Sequence, residues 1–121
     1  MSAPMTHDIG TVFTSNAQGA SGPVALERLH HVCLQPVSHS PVLCGHVAAE
    51  LPKVLMEIAA NSGYRIVSVS ISPDHVNLLV ELDPMHRPES VTRELRGLSS
   101  LRLMQSFPGL RLRLRANHLW I

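Results

Sequence analysis

Residues 72–82, SPDHVNLLVEL, carry the residue types best suited to chemistry in this sequence. A turn pair, Pro73-Asp74, leads directly into an apolar segment with the pattern of a strand. Because side chains alternate between the two faces of a strand, His75 and Asn77 share one face, and the other face is entirely apolar and must be the core side. An imidazole and a carboxamide therefore lie side by side at the open end of a strand. Such a pair is a candidate two-point site for a metal ion or a phosphate.

The segments around this strand predict the elements that position it. Residues 29–35 are typical of a strand stopped by Pro36, and residues 46–61 have helical spacing, with Pro52 either kinking the helix or marking its true start. Residues 64–71 alternate as a second strand and form a hairpin with the strand that begins at His75. A second helix is predicted from Pro88 to Phe107, followed by alternating Leu and Arg over residues 110–115 and a last apolar segment at 117–121.

The order of these elements, β-α-β-β-α-β, predicts the fold class. It is typical of an α+β, ferredoxin-like sandwich in which an antiparallel sheet carries its helices on one face. We expect one domain over residues 26–121. Residues 1–25 are rich in small and polar residues without periodicity, and we predict a flexible N-terminal extension there.

Bulk properties narrow the class of protein. No apolar run is long enough for a membrane helix, and no basic region precedes a hydrophobic stretch as in a secretory signal. The two cysteines, Cys33 and Cys44, do not have zinc-ligand spacing, and we expect both to be small buried hydrophobes in a reduced, cytoplasmic protein.

The charges are distributed unevenly along the chain. Residues 86–121 hold seven arginines against two acids, Glu89 and Glu94, whereas residues 1–85 hold three bases against seven acids. The planar guanidinium suits phosphate, so an arginine-rich half indicates nucleic acid as a partner. A high-GC genome that encodes arginine wherever a base is needed would give the same composition.

Six arginines are candidate DNA contacts. Three lie on the predicted second helix, and three alternate with leucine on the predicted strand 110–115 and would form a row able to follow a phosphate backbone: Arg93, Arg96, Arg102, Arg111, Arg113 and Arg115. The alternative is an edge strand whose charges prevent aggregation. Aromatic residues make up 3 % of the chain, so binding would be electrostatic rather than based on base stacking.

Residues 72–82, around His75, resemble the metal-binding strand of the single-tyrosine HUH transposases. These are the small enzymes of simple insertion sequences, and they include the REP-associated tyrosine transposases. Residues 30–82 are similar to the family's first strand, first helix, second strand and metal strand in order. Residues 91–120 are similar to its second helix and the segment that leads to a Trp-containing strand. The resemblance covers about residues 29 to 120 and excludes residues 1–25.

The resemblance implies a metal site and also shows departures from it. The family's metal strand carries His-hydrophobic-His, and Asn77 stands at the second histidine. A magnesium or manganese ion would therefore be held weakly by His75 and Asn77, because a neutral amide oxygen is a weaker ligand than imidazole. The family's third ligand and its nucleophilic tyrosine lie on a C-terminal helix that has no counterpart here. The single tyrosine, Tyr64, is predicted to be an aromatic edge of the core, so no catalytic residue is assigned.

From this resemblance we predict a DNA-binding relative of enzymes that nick and rejoin single-stranded DNA in transposition. Hairpin or single-stranded DNA is the expected partner, a homodimer formed through sheet edges is the expected assembly, and cleavage is expected to be lost. One alternative is an inert or regulatory remnant that dimerises, even with an intact relative, without binding DNA itself. Another is a chain whose missing tyrosine helix is supplied by a partner.

Overall fold

The computed structural model describes residues 11–14 and 26–121. The strands are β1 (Thr11–Thr14), β2 (Leu29–Leu34), β3 (Arg65–Ser72) and β4 (His75–Glu81). The helices are α1 (Gly45–Ser62), α2 (Pro88–Ser106) and α3 (Gly109–Leu114), with single 3-10 turns at Leu26–Arg28 and Val37–His39. No helix in these ranges is both long and apolar enough to cross a bilayer.

The strands form one antiparallel sheet in the order β1-β3-β4-β2, and the helices pack on one face of it. The predicted α+β class is therefore confirmed. One difference is β1, which pairs with β3 from Thr11 opposite Ile71 to Thr14 opposite Ser68. The sequence prediction placed these four residues within a flexible extension. A short strand with one partner carries too little periodicity to stand out, and the rest of residues 1–25 lies outside the described residues.

The core fills the space between the sheet and the helices. On β4, Val76 and Val80 are fully buried and Leu78 is almost so, as the alternation predicts. On β3 a bulge between Ile66 and Ser68 shifts the register, so Ile66 is buried, whereas strict alternation with Val69 and Ile71 would have buried Val67. A bulge inserts one extra residue into a strand and moves every earlier side chain to the opposite face.

Two local predictions on α1 and the cysteines need correction. The helix runs unbroken through the buried Pro52 and begins seven residues earlier, at Gly45, so this proline is not the start. Cys33 and Cys44, expected to be buried, are both exposed and free. Cys33 lies between Val32 and Leu34, which face the core, so the pleat turns its thiol to the outer face of β2.

The alternating segment 110–115 is a helix, not the predicted strand. In α3, Leu110 and Leu114 are both buried one helical turn apart, whereas Leu112 is 82 % exposed. Alternation by two also places apolar residues at i and i+4, and leucine and arginine both favour helices. The predicted row of Arg111, Arg113 and Arg115 on one strand face is therefore wrong.

The last residues are held by α2 rather than by a full strand. The indole Nε1 of Trp120 donates to Ser99 Oγ at 2.8 Å, and the Leu119 amide donates to Ser100 Oγ at 2.8 Å. Both serines are buried on the inner side of α2. Residues 117–121, predicted only as an apolar segment, pair with residues 35–37 through an isolated bridge between Pro36 and Trp120. Two backbone hydrogen bonds of 2.8 Å, from the Val37 amide to the Leu119 carbonyl and from the Ile121 amide to the Gln35 carbonyl, flank this bridge.

A second polar cluster joins the end of α1 to the β4–α2 loop. His86 bonds to the Ser62 carbonyl through Nε2 at 3.0 Å and to Asp83 Oδ1 through Nδ1 at 2.8 Å. A carbonyl and a carboxylate only accept, so both bonds form together only when the ring is protonated on both nitrogens, and they favour the imidazolium. These two bonds raise the pKa of His86, the carbonyl bond most, and the bond from His86 lowers the pKa of Asp83.

The imidazolium also lies in a negative environment beyond its two direct partners. Glu94 on α2 accepts from Ser62 Oγ at 2.9 Å and from the Tyr64 phenol at 3.0 Å, and its charge favours the protonated ring. The Tyr64 and His86 rings meet edge to face at 5.5 Å. Because α1 ends at Ser62, the partial negative charge at the C-terminus of this helix also stabilises a positive charge on His86.

We expect Ser99→Ala to destabilise the fold by about 1 to 3 kcal/mol, because it leaves the buried Trp120 indole without an acceptor. Urea unfolding followed by Trp120 fluorescence measures the change. Ser106→Ala, on the exposed last residue of the same helix, is the matched control and should stay within about 0.5 kcal/mol of the parent. Equal losses in both variants would contradict the role given to the indole bond.

The His86 cluster predicts a pH dependence of stability. A pKa raised in the folded state means that the contribution of His86 is present below about pH 6.5 and is lost as the pH rises through the folded pKa. The lowered pKa of Asp83 adds a contribution present above about pH 4 and lost as the pH falls through its folded pKa. The urea midpoint should therefore decline on the alkaline side of neutrality.

His86→Gln tests this dependence, since glutamine keeps a donor for the Ser62 carbonyl but does not titrate. We expect a flatter alkaline side in the profile of urea midpoint against pH. His46→Gln, at an exposed histidine at the start of α1, should leave the profile as in the parent. A profile unchanged by His86→Gln would show that another group controls the decline.

Candidate functional site

The predicted site strand is β4, and its polar side chains lie on the face of the sheet that carries no helix. His75 and Asn77 are both half-buried there, while their neighbours Val76 and Leu78 face the core. β4 lies between β3 and β2, so the candidate residues sit on an inner strand of the sheet. The predicted sharing of one face by the imidazole and the carboxamide is confirmed by this placement.

Asn77 is held by a histidine from the neighbouring strand. His31 on β2 pairs with Leu79 in the register, which places it diagonally across from Asn77. His31 Nε2 lies 2.9 Å from Asn77 Oδ1. An amide oxygen only accepts, so His31 donates and carries its proton on Nε2. The amide oxygen of Asn77 is thus already engaged by a side chain of the neighbouring strand.

His75 is bonded to the turn that precedes it. Its Nδ1 lies 2.9 Å from Oδ1 of Asp74, and this bond holds the pKa of the Asp74 carboxyl below its usual range. The arrangement is that of a histidine oriented by a carboxylate, with Nε2 as the ring atom left for another partner. Orientation of this kind is common among histidines that bind metals, although it also occurs as a simple turn contact.

The donors on this face do not by themselves fit a tightly held divalent ion. Among the described residues, no three His, Cys, Asp or Glu side chains come together where they could hold a metal. The pair supplies one imidazole nitrogen and one amide oxygen, and that oxygen already accepts from His31. Magnesium and manganese sites in proteins draw on several oxygen or nitrogen donors, so this pair alone would bind either ion weakly.

Tyr64 lies on the helix side of the sheet, away from the face that carries His75. It is 6 % exposed, and its phenol donates to Glu94. Burial, and then the bond to Glu94, raise the pKa of the phenol well above its usual range. A phenol that is harder to ionise is a poorer nucleophile, so the geometry agrees with the predicted structural role.

The predicted DNA-contacting arginines fall into three groups. Arg93 and Arg96 lie one turn apart on α2 and line a common groove. Arg102, further along α2, forms an ion pair with Glu57 of α1 and so ties the two helices together. Arg111 and Arg113 are exposed on the separate helix α3, and Arg115 is exposed at its C-cap. The structure therefore brings together two of the six.

Sequence reasoning missed two features of the helix layer. The groove beside Arg93 also involves Asn117 and His118, which come from a segment predicted only as apolar. No local pattern signals that contact, because it depends on where the chain returns after α3. The His86 cluster could have been predicted from the sequence, because Asp83 lies three residues before His86, just ahead of the start of α2.

Comparisons with known proteins agree with this architecture. The family model described as "Transposase IS200 like" matches residues 27–121. The chain is 34% identical over 79 residues to the ISDra2 transposase TnpA of Deinococcus radiodurans, covering 65% of this chain and 56% of that protein. It is 24% identical over 91 residues to the transposase for insertion sequence element IS200 of Salmonella typhimurium, covering 75% of this chain and 60% of that protein.

A solved structure gives the same result for the fold. The crystal structure of a protein from Deinococcus radiodurans R1 assigned as a transposase superimposes with a TM-score of 0.73 at 27% identity, covering 84% of this chain and 78% of that one. The chain spans 56% and 60% of the lengths of the two curated relatives. With the sheet, the helix layer and the family match over residues 27–121 in agreement, the chain belongs to the IS200-like transposase family.

Proposed function

We propose that this chain binds single-stranded or hairpin DNA in transposition and does not cleave it efficiently by itself. The observation that carries the proposal is the pairing state of the arginines after residue 86. Arg102 is ion-paired, whereas six others make no ion pair within the described residues: Arg87, Arg93, Arg96, Arg111, Arg113 and Arg115. Cations without acidic partners, carried by α2, by α3 and by the residues that flank these helices, are suited to contact phosphates.

The poor set of metal donors on the open face of the sheet supports the proposal that the chain does not cleave DNA efficiently by itself. His75 and Asn77 are the residues that would hold a magnesium or manganese ion, which would polarise the scissile phosphate when bound. The amide of Asn77 is instead held by His31, and Tyr64 is buried against Glu94. The activity proposed for the chain itself is therefore DNA binding, and its two exposed, free thiols support a reducing cytoplasm as the proposed location.

A homodimer formed through sheet edges is part of the same proposal. Among the described strands, β2 is at one edge of the sheet and pairs only with β4. Two copies joined along β2 would extend the sheet across both chains. A chain that forms this dimer but fails to bind DNA at low salt would match the alternative, a dimerising remnant.

The first test is binding to a fluorescent hairpin oligonucleotide at low and high salt, with cleavage read on a gel from the same samples. We expect affinity to fall steeply between about 50 and 200 mM salt, because phosphate contacts release counterions. Magnesium or manganese should produce no cleavage. Lys53→Gln removes a positive charge that α1 already pairs with Glu50, and it should leave binding unchanged.

An affinity that does not change with salt concentration would contradict the proposal. Metal-dependent cleavage by the parent chain would also contradict it. Arg111→Gln with Arg113→Gln should weaken binding and lower the salt slope by about 0.7 for each phosphate contact that is lost on a single strand. Arg111→Gln alone and Lys53→Gln each remove one positive charge, and comparing them separates this local effect from a general loss of positive charge.

Asn77→His is expected to raise manganese affinity more than about tenfold, a change of about 1.4 kcal/mol, because a basic nitrogen replaces an amide oxygen that His31 engages. Calorimetric titration with manganese chloride measures the change. Adding His75→Ala to Asn77→His should abolish the gain, because the ion needs both side chains. Equal manganese affinity in the parent and in Asn77→His would show that the amide does not limit binding.

A further inference from the structure

A groove of about 460 Å³ runs between α2 and the segment that returns after α3. Arg93, Arg96 and Gly97 form its α2 wall, and Asn117 and His118 form the other. The groove is on the helix side of the molecule, so it is separate from the His75 face of the sheet. Two guanidinium groups on one wall face an amide and an imidazole on the other, so both walls carry nitrogen donors.

Arg96 is the residue that marks this groove as incomplete. Its Nε is buried and has no hydrogen-bond partner. A buried donor without a partner is costly, and structures usually satisfy it. Neither Arg93 nor Arg96 has an ion pair within the described residues, whereas Arg65 and Arg102 are paired with acids.

The surroundings of Arg96 indicate the chemistry of the missing partner. A guanidinium with an open donor matches phosphate oxygens, and Arg93 stands one turn away to share the same anion or the next. Glu89 lies at the far end of the arginine wall, beside Arg93, and is the acid in the adjoining pocket. The floor is largely apolar, because Leu101 is 53 % exposed next to the groove and Trp120 lies beneath.

Cationic walls over an apolar floor fit a nucleotide better than a free inorganic anion. The phosphate would bind Arg93 and Arg96 while the sugar or base covers Leu101. Trp120 is 2 % exposed, so its ring face is not open for stacking, and the contact would be tolerant of base identity. A base paired within a duplex cannot reach such a floor, which favours a single strand.

We propose that the groove between α2 and residues 117–120 binds one nucleotide of a single-stranded DNA segment, with its phosphate on Arg93 and Arg96. The inference rests on the DNA-binding function proposed above and assigns it to a defined site.

Gly97 offers a way to block the groove without damaging the fold. A Cβ built at this position meets nothing within 4 Å, and Gly97 lies inside α2, where alanine and methionine are better helix formers. Gly97→Met should therefore fill the groove with a flexible apolar side chain and keep the charge unchanged. Gly97→Ala is the matched control, because a methyl group leaves most of the space open.

The probe is a fluorescent oligothymidine of about 12 nucleotides, a length within the range that single-strand binding sites cover. Anisotropy titrations at about 50 mM salt should show Gly97→Met weakened by more than about fivefold, since a blocked groove loses its phosphate contacts. Gly97→Ala should bind as the parent does, and both variants should melt no lower than the parent. Arg96→Gln should weaken binding and lower the salt slope by about 0.7.

Several outcomes would contradict the assignment of the groove as the nucleotide site. If Gly97→Met binds as Gly97→Ala does, the groove is not the site, and if a duplex of the same length loses as much affinity, the occupant is not a single strand. Loss of binding on Arg111→Gln with Arg113→Gln but not on Arg96→Gln would leave the DNA-binding function standing and reject the groove. No binding by the parent chain would reject both.

Discussion

The alternation of side chains along β4 is the constraint on which the rest of this structure depends. β4 is paired on both sides, so its apolar residues Val76, Leu78 and Val80 must all lie beneath the helices. The same pleat sends His75 and Asn77 to the open face, and no shift of register could move one set without moving the other. Core and candidate site are thus two consequences of a single strand, and a substitution on one face leaves the other face in place.

Asn77 stands where the resemblance to the family predicts a histidine, and its side chain has a hydrogen-bond partner within the sheet. Asn77 receives a hydrogen bond from His31 across the strands, so the amide has a structural partner that an ion would have to displace or share. The neighbouring His75 is oriented by Asp74 and remains arranged like a ligand. The face therefore holds one histidine oriented by a carboxylate and, beside it, a cross-strand hydrogen-bonded pair.

What the sequence could predict follows from the strength of each local pattern. β4 has a strict period of two with one wholly apolar face, and α2 begins with Pro88 at its first turn, so both were predicted closely. Residues 110–115 also alternate, but leucines at 110, 112 and 114 satisfy a helix as well as a strand. Only packing decides, by burying Leu110 and Leu114 and exposing Leu112. The groove depends on Arg96 and His118 lying on its two walls, and no local spacing in the sequence predicts that arrangement.

The arginines show why composition alone left two interpretations open. Both a nucleic-acid partner and a high-GC genome produce many arginines, and the two differ in what those arginines face. Arg102 on α2 is paired with Glu57 of α1 and joins the two helices, a role that a lysine could also fill. Arg96, two turns earlier on the same helix, has a buried Nε without an acceptor, which a merely compositional arginine would avoid by reaching solvent. A long, flexible side chain kept in that position at an energetic cost is better explained by an anionic partner that completes it.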